Sequence, residues 1–265
     1  MNKHTKEILK IEIFKLFRNR INYVYIAAVL ITPIVSSFGL RMIENTKNSG
    51  TGYSYVLLSL QTLSTMIIPI MLLLFAASTV SSEKTTGTIR NILVSGYSKA
   101  QFISSKIIAS LIFLLILMSI AATTTILIGY FSFGFGNITE DGFLILKQSQ
   151  FWINFLISYS LLAIALFAVI SFGIMVSTIA QNNISSITIA IGSYILLEGI
   201  KTKLHIENYI YSSYIEFPLN MLGDLTEGFY STWMPKLSHF LLVSSLWIFI
   251  SLFISFFVIK KIDFK

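Results

Sequence analysis

Residues 81–106, SSEKTTGTIRNILVSGYSKAQFISSK, form a charged and polar stretch between two apolar runs, each long enough to cross a bilayer. Thr86 to Val94 reads as a two-turn helix in which Ile89, Ile92 and Leu93 make a small apolar face while Arg90 and Asn91 point elsewhere. Ser95-Gly96 is a stop signal. Ser98 and Gln101 then match the S-x-x-Q capping box that opens the next helix. A short surface helix joined to a membrane helix through a capped hinge can transmit a push. It also fits a plain solvated loop whose helix rests on the headgroups.

Working outward from this loop, the composition is that of a membrane protein. Apolar residues make up 55% of the chain and charged residues 12%, where soluble domains are about one quarter charged. The mean hydropathy is +0.79. About 20 helical residues cross the hydrocarbon layer, and six charge-poor runs of roughly that length stand at 21–40, 56–80, 107–130, 151–179, 184–200 and 238–259. The reading is an all-α polytopic membrane protein of six transmembrane helices in a single transmembrane domain, 1–265. The first span reads as a retained helix and not a cleavable signal, because a long basic leader precedes it and no small-residue cleavage site follows.

Charge gives the orientation. An even number of spans puts residues 1–20, 81–106, the 180–183 turn and the tail 260–265 on one side, which then holds 13 Lys and Arg against 4 Asp and Glu. The other side holds 6 against 8. The positive-inside rule makes the first side, with both termini, cytoplasmic, and the basic residues answer to lipid headgroups better than to nucleic acid. A bacterial plasma membrane is the expected location.

Within the spans, small residues at 158–173 (Ser158, Ser160, Ala163, Ala165, Ala168, Ser171, Gly173) invite close helix packing. Pro33 and Pro69 invite kinks, either for gating or as ordinary features of membrane helices. Lys106, Glu198 and His239 fall near span ends, so no ionisable group is expected deep in the hydrocarbon layer, which argues against a self-sufficient ion-coupled carrier. There are no cysteines, no GxxxxGK[ST] loop, no HExxH or GxSxG, and the three histidines lack metal-ligand spacing. No catalytic residue, cofactor or metal is expected, and an external source of free energy is implied.

Glu83, Thr86-Gly87-Thr88, Ile92-Leu93 and Lys106 resemble the pattern E-x-x-(S/T)-G-T-x-x-x-L-L...K between the second and third spans of ABC type 2 permeases, the membrane subunits of ATP-driven exporters. Phe172-Gly173-Ile174, Ser177 and the Asn182-Asn183 turn are similar as well, and the resemblance runs along essentially the whole chain. Gly96-Tyr97-Ser98 departs from it, since many members have a proline-containing turn there. The resemblance implies a dimer, with itself or a sister permease, forming a twelve-span pathway. A separate ATPase subunit, carrying ATP and Mg, would dock on a coupling helix through Glu83, Lys84, Gly87, Thr88, Arg90 and Asn91. Residues 3–20 would be an amphipathic connecting helix, with Leu9, Ile13, Leu16 and Phe17 on one face and Ile8, Ile11 and Phe14 off it.

The outer segment 201–237 is rich in aromatics, among them Tyr209, Tyr211, Tyr214, Phe217, Phe229, Tyr230 and Trp233. They read either as an interfacial belt or as cargo contacts. By the resemblance, short extracellular re-entrant helices would cap the pathway, with Tyr214, Phe217 and Pro218 as gate candidates and Pro218 as a bend. A pathway without fixed charge suits peptides or other hydrophobic cargo, and permeases of this kind export amphipathic or antimicrobial peptides. The alternatives from other classes are an ion-coupled secondary transporter and a non-transporting membrane scaffold or sensor.

Overall fold

A computed structural model describes residues 3–43, 51–140, 143–229 and 233–261. In chain order the helices are α1 (Lys3–Arg18), α2 (Arg20–Ile43), α3 (Thr51–Thr62), α4 (Ile68–Thr85), α5 (Thr88–Val94), α6 (Lys99–Ser132), α7 (Gln148–Ile179), α8 (Asn183–Ile200), α9 (Phe217–Thr226) and α10 (Trp233–Lys261). A π-helical turn, Leu63–Ile67, joins α3 to α4 in one long rod. Six segments are long and apolar enough to cross a membrane: Arg20–Gly39, Gly52–Thr85, Lys99–Ser132, Gln148–Ile179, Asn183–Ile200 and Lys236–Lys261. The expected all-α polytopic plan is therefore present, and only a small hairpin, β1 (Ile138–Glu140) with β2 (Phe143–Leu146), departs from it among the described residues. Tyr230 and the end of the tail, with Asp263, lie outside the described residues.

α7 is the most buried span and the axis of the bundle. Ser158, Ala165, Ala168, Ser171, Gly173 and Ser177 are all buried along it, so α4 and α10 approach it closely. At Gly173 an added Cβ would stand 2.7 Å from the Ala76 Cβ of α4, which no real contact tolerates.

The two span prolines are absorbed differently. Pro33 lies inside α2, and its carbonyl accepts a hydrogen bond from Tyr55 Oη of α3 at 2.7 Å. Pro69 stands directly after the π turn, inside the continuous rod, so its missing N–H leaves a carbonyl of the preceding turn without its helical donor. The Thr65 carbonyl, whose α-helical donor would be the nitrogen of Pro69, accepts from Tyr194 Oη of α8 at 3.2 Å.

α1 and α2 meet at a capped corner. Asn19 Oδ1 accepts from the Ile21 N–H at 3.1 Å, and buried Asn22 donates to the Leu16 carbonyl at 2.7 Å. The buried stripe of α1 is Ile8, Glu12 and Leu16, whereas Ile11, Phe14 and Phe17 are exposed. This corrects the expected face, which grouped Leu16 with Phe17 and excluded Ile8. For a helix lying against a membrane the outer surroundings are also apolar, so apolar spacing alone does not mark the side that meets protein.

Candidate functional site

The six crossings bring α1, the α4–α6 connection and the last turn of α10 to one end of the bundle, where Lys99 Nζ donates to the Lys260 carbonyl at 3.2 Å. At this basic end the final turns of α4 are held from two sides.

On one side four ionisable residues converge. Lys106 Nζ of α6 lies 2.7 Å from Glu12 Oε2 of α1 and 2.6 Å from Glu83 Oε1 of α4. Lys15 Nζ of α1 lies 2.7 Å from the same Glu83 oxygen and 3.1 Å from Glu12 Oε1. Glu12, Glu83 and Lys106 are buried, while Lys15 reaches water. Two carboxylates and two ammonium groups balance, and that balance is what makes the burial tolerable. Lys106 also sits 5.3 Å above the Phe102 ring. Burial works against the Lys15 charge, but its hydrogen bond to Glu83 and the charges of Glu12 and Glu83 prevail and hold its pKa above the ordinary lysine value of 10.5.

On the other side Ser177 of α7 intrudes into the backbone of α4. Its hydroxyl donates to the Ala77 carbonyl at 2.6 Å and accepts from the Val80 and Ser81 N–H groups at 3.1 and 2.9 Å. Ser186 of α8 donates to the same carbonyl at 2.7 Å, and Ser81 Oγ meets Asn183 Oδ1 at 3.0 Å. Asn182 caps α8, accepting from the Ser185 N–H at 2.8 Å. Lys84 donates to the Thr178 and Ala180 carbonyls, so a cation sits at the negative end of α7. The Gly173, Ser177, Asn182 and Asn183 set is thereby one construction, clamping the α7–α8 hairpin onto α4.

Beyond the clamp the chain turns through Gly87, whose φ of +70° is the left-handed conformation glycine favours. The turn conformation accounts for the glycine. α5 follows, and Gly96, with φ +87°, ends it. Ser98 Oγ accepts from the Gln101 N–H at 3.2 Å while Gln101 Oε1 accepts from the Ser98 N–H at 2.9 Å, the capping box read from the sequence. Ile89 and Ile92 pack with Val80, Phe102, Ile103 and Ile259 in a small apolar cluster of their own. The Leu93 side chain lies outside the described residues.

Of the six docking candidates, Gly87, Thr88, Arg90 and Asn91 are exposed on the turn and outer face of α5. Glu83 and Lys84 are not: one is buried in the ionic group, the other folded back on α7. They fix the helix that carries α5 and do not offer their side chains to a partner. The ionic group itself escaped the sequence, where Lys106 reads as a span-end residue. Glu12 is 94 positions from Lys106, and only the resemblance pattern hinted at the Glu83–Lys106 pair.

The gate candidates lie at the opposite end. Tyr214 is buried, ends the 3-10 turn Tyr211–Tyr214, and donates to the Asn208 carbonyl at 2.9 Å. Phe217 packs on Phe240 with ring centroids 5.6 Å apart. Pro218 occupies the first turn of α9 and starts that helix instead of bending it, since its fixed φ suits that position. Tyr211 is fully buried against Phe172 and Trp247, a core role and not an interfacial belt. Tyr209 and Phe229 are exposed. Tyr214 and Phe217 line a cavity of about 750 Å³.

These features define a polytopic membrane protein with a short two-faced helix, apolar inward and polar outward at Thr88, Arg90 and Asn91, at its basic end. Residues 17–265 match the family described as Protein of unknown function (DUF2705), and the chain belongs to that family. No curated protein matches the chain.

Proposed function

We propose that this protein is the permease subunit of an ABC type 2, ATP-driven exporter, contributing half of a twelve-helix pathway in a bacterial plasma membrane with both termini cytoplasmic. The observation that carries the reading is α5: its apolar face is seated on the bundle, while Thr88, Arg90 and Asn91 face outward. Its parent helix α4 is fixed by buried ion pairs on one side and by hydroxyl-to-backbone bonds on the other. Force applied to α5 by a docked ATPase would then reach α1, α6, α7 and α8 together. Arg90 supplies a charged fork for a carboxylate on that partner. A second copy or a sister permease would complete the pathway, α1 would be the connecting helix and α9 the outer cap. Amphipathic or antimicrobial peptides are the favoured cargo class.

The test is co-purification with an ABC ATPase subunit, together with cargo-stimulated ATP hydrolysis. Thr88→Ala with Arg90→Glu and Asn91→Ala changes only exposed side chains, so the protein should insert and fold normally yet lose the ATPase and its stimulation by cargo. Wild-type co-purification and stimulation in this variant would remove α5 from the coupling role. Cysteines placed at Ser95 and Ser149 of the cysteine-free chain should label from opposite faces of the membrane.

The buried group of Glu12, Glu83 and Lys106 favours a second reading, an ion-coupled carrier, because such carriers use enclosed ionisable residues. Uphill transport with the ATPase disabled would select it.

A further inference from the structure

We propose that the cavity under α9 is a binding site for an organic cation, the ammonium or guanidinium end of an amphipathic molecule. The proposal rests on the exporter reading only in placing this cavity on the outer face of the membrane.

The cavity holds about 750 Å³, within the roughly 300–1,000 Å³ of small-molecule sites. Three carboxylates line it, Glu207, Glu216 and Asp224. Among the described residues none of the three has a basic partner, whereas Lys201 on the same rim is already taken by Glu198 at 2.6 Å. Lys236 is the remaining lysine, so negative charge prevails. His239 is committed to the Asn208 carbonyl, 3.2 Å from its Nε2.

One wall is apolar. Tyr214 and Phe217 stack toward Phe240 with centroids 5.9 and 5.6 Å away, and buried Met221 lies beside them. Carboxylates and aromatic rings lining one cavity suit a cation carried on an apolar body, through charge and ring contacts together. Ser213 lines the same cavity, and its Oγ, like that of several other serines, has no hydrogen-bond partner within the protein. A multivalent metal ion suits the site less well, because no group of three metal-ligating side chains exists among the described residues.

The test uses the full chain in phosphatidylcholine nanodiscs, with no ATPase present. Thr202→Cys places a thiol on the exposed rim of the cavity, and Ser149→Cys places one on the same end outside it. Labelling by a neutral maleimide is followed with and without a synthetic amphipathic peptide of Leu and Lys, and with its Leu and Glu counterpart. The lysine peptide should slow labelling at position 202 by about tenfold and leave position 149 unchanged. Protection should vanish when Glu216→Gln and Asp224→Asn, both exposed and tolerant of change, are added. Slower labelling in phosphatidylethanolamine discs without peptide would assign the ammonium to a lipid headgroup. No protection, equal protection by both peptides, or protection that survives the double carboxamide change overturns the proposal. Since no ATPase takes part, these results stand apart from the fate of the coupling reading.

Discussion

The two ends of the molecule use charge in opposite ways. At the basic end Glu12, Glu83 and Lys106 are buried and mutually paired, and the hydroxyls of Ser177 and Ser186 are spent on the backbone of α4. At the other end Glu207, Glu216 and Asp224 stand around an open cavity without basic partners among the described residues. Buried, mutually paired charge has few low-energy arrangements, because moving one member strands the others in a medium that does not solvate them. Solvated charge around a cavity has many arrangements of similar energy. The first pattern suits transmission of force and the second suits reception of something that varies.

The contrast is sharpest at Lys106. Lys106→Met leaves two buried carboxylates sharing the one half-exposed ammonium of Lys15, and a loss of about 3–5 kcal/mol is expected. Glu216→Gln at the opposite end should stay within about 0.5 kcal/mol. Thermal unfolding of the two variants in the same detergent compares them directly, and equal effects would erase the distinction. Replacing Glu12, Glu83 and Lys106 together by Gln, Gln and Met should be milder than Lys106→Met alone.

The clamp on α7 comes next in size. Gly173→Val drives a branched side chain into the space held by Ala76, for an expected loss of about 1–3 kcal/mol, readable as a lowered midpoint and as earlier proteolysis of the 81–98 connection. Ser177→Ala removes one donor and one acceptor at once and should cost about 1 kcal/mol.

At the basic end the smallest effect belongs to Lys15, half-exposed and screened by water, where Lys15→Gln should cost less than about 1 kcal/mol. Because its folded pKa is raised, the stability it contributes is fully present below 10.5 and is lost only as pH rises through the folded value. A stability difference between wild type and Lys15→Gln that changes across neutral pH would contradict this pairing.

Much of this plan was legible in the sequence where the deciding physics is local. Charge-poor runs mark the spans, and Ser98 with Gln101 names its own helix start, because capping partners lie within one turn. The ionic group was not legible, because Lys106, Glu12 and Glu83 come from three helices and a lysine seven residues into α6 is indistinguishable from one reaching for headgroups. The buried face of α1 was misread because the stripe that meets protein is centred on a carboxylate, while the exposed stripe of Ile11, Phe14 and Phe17 is the more apolar. The hairpin at 138–146 was missed, being two strands too short to show alternation.

The π turn at Leu63–Ile67 also sets a phase. A helix advances about 100° per residue, and a π turn accommodates one residue more than an α turn does. Everything below it is therefore rotated relative to an uninterrupted α3–α4 rod. Deleting Ser64 would restore a regular helix and turn α4 by about that angle. Glu83 would swing away from Lys106 and Lys84 from the end of α7, while α5 would be carried around the bundle. One surplus residue near the far end of the rod thus acts as the index mark for the direction in which α5 faces.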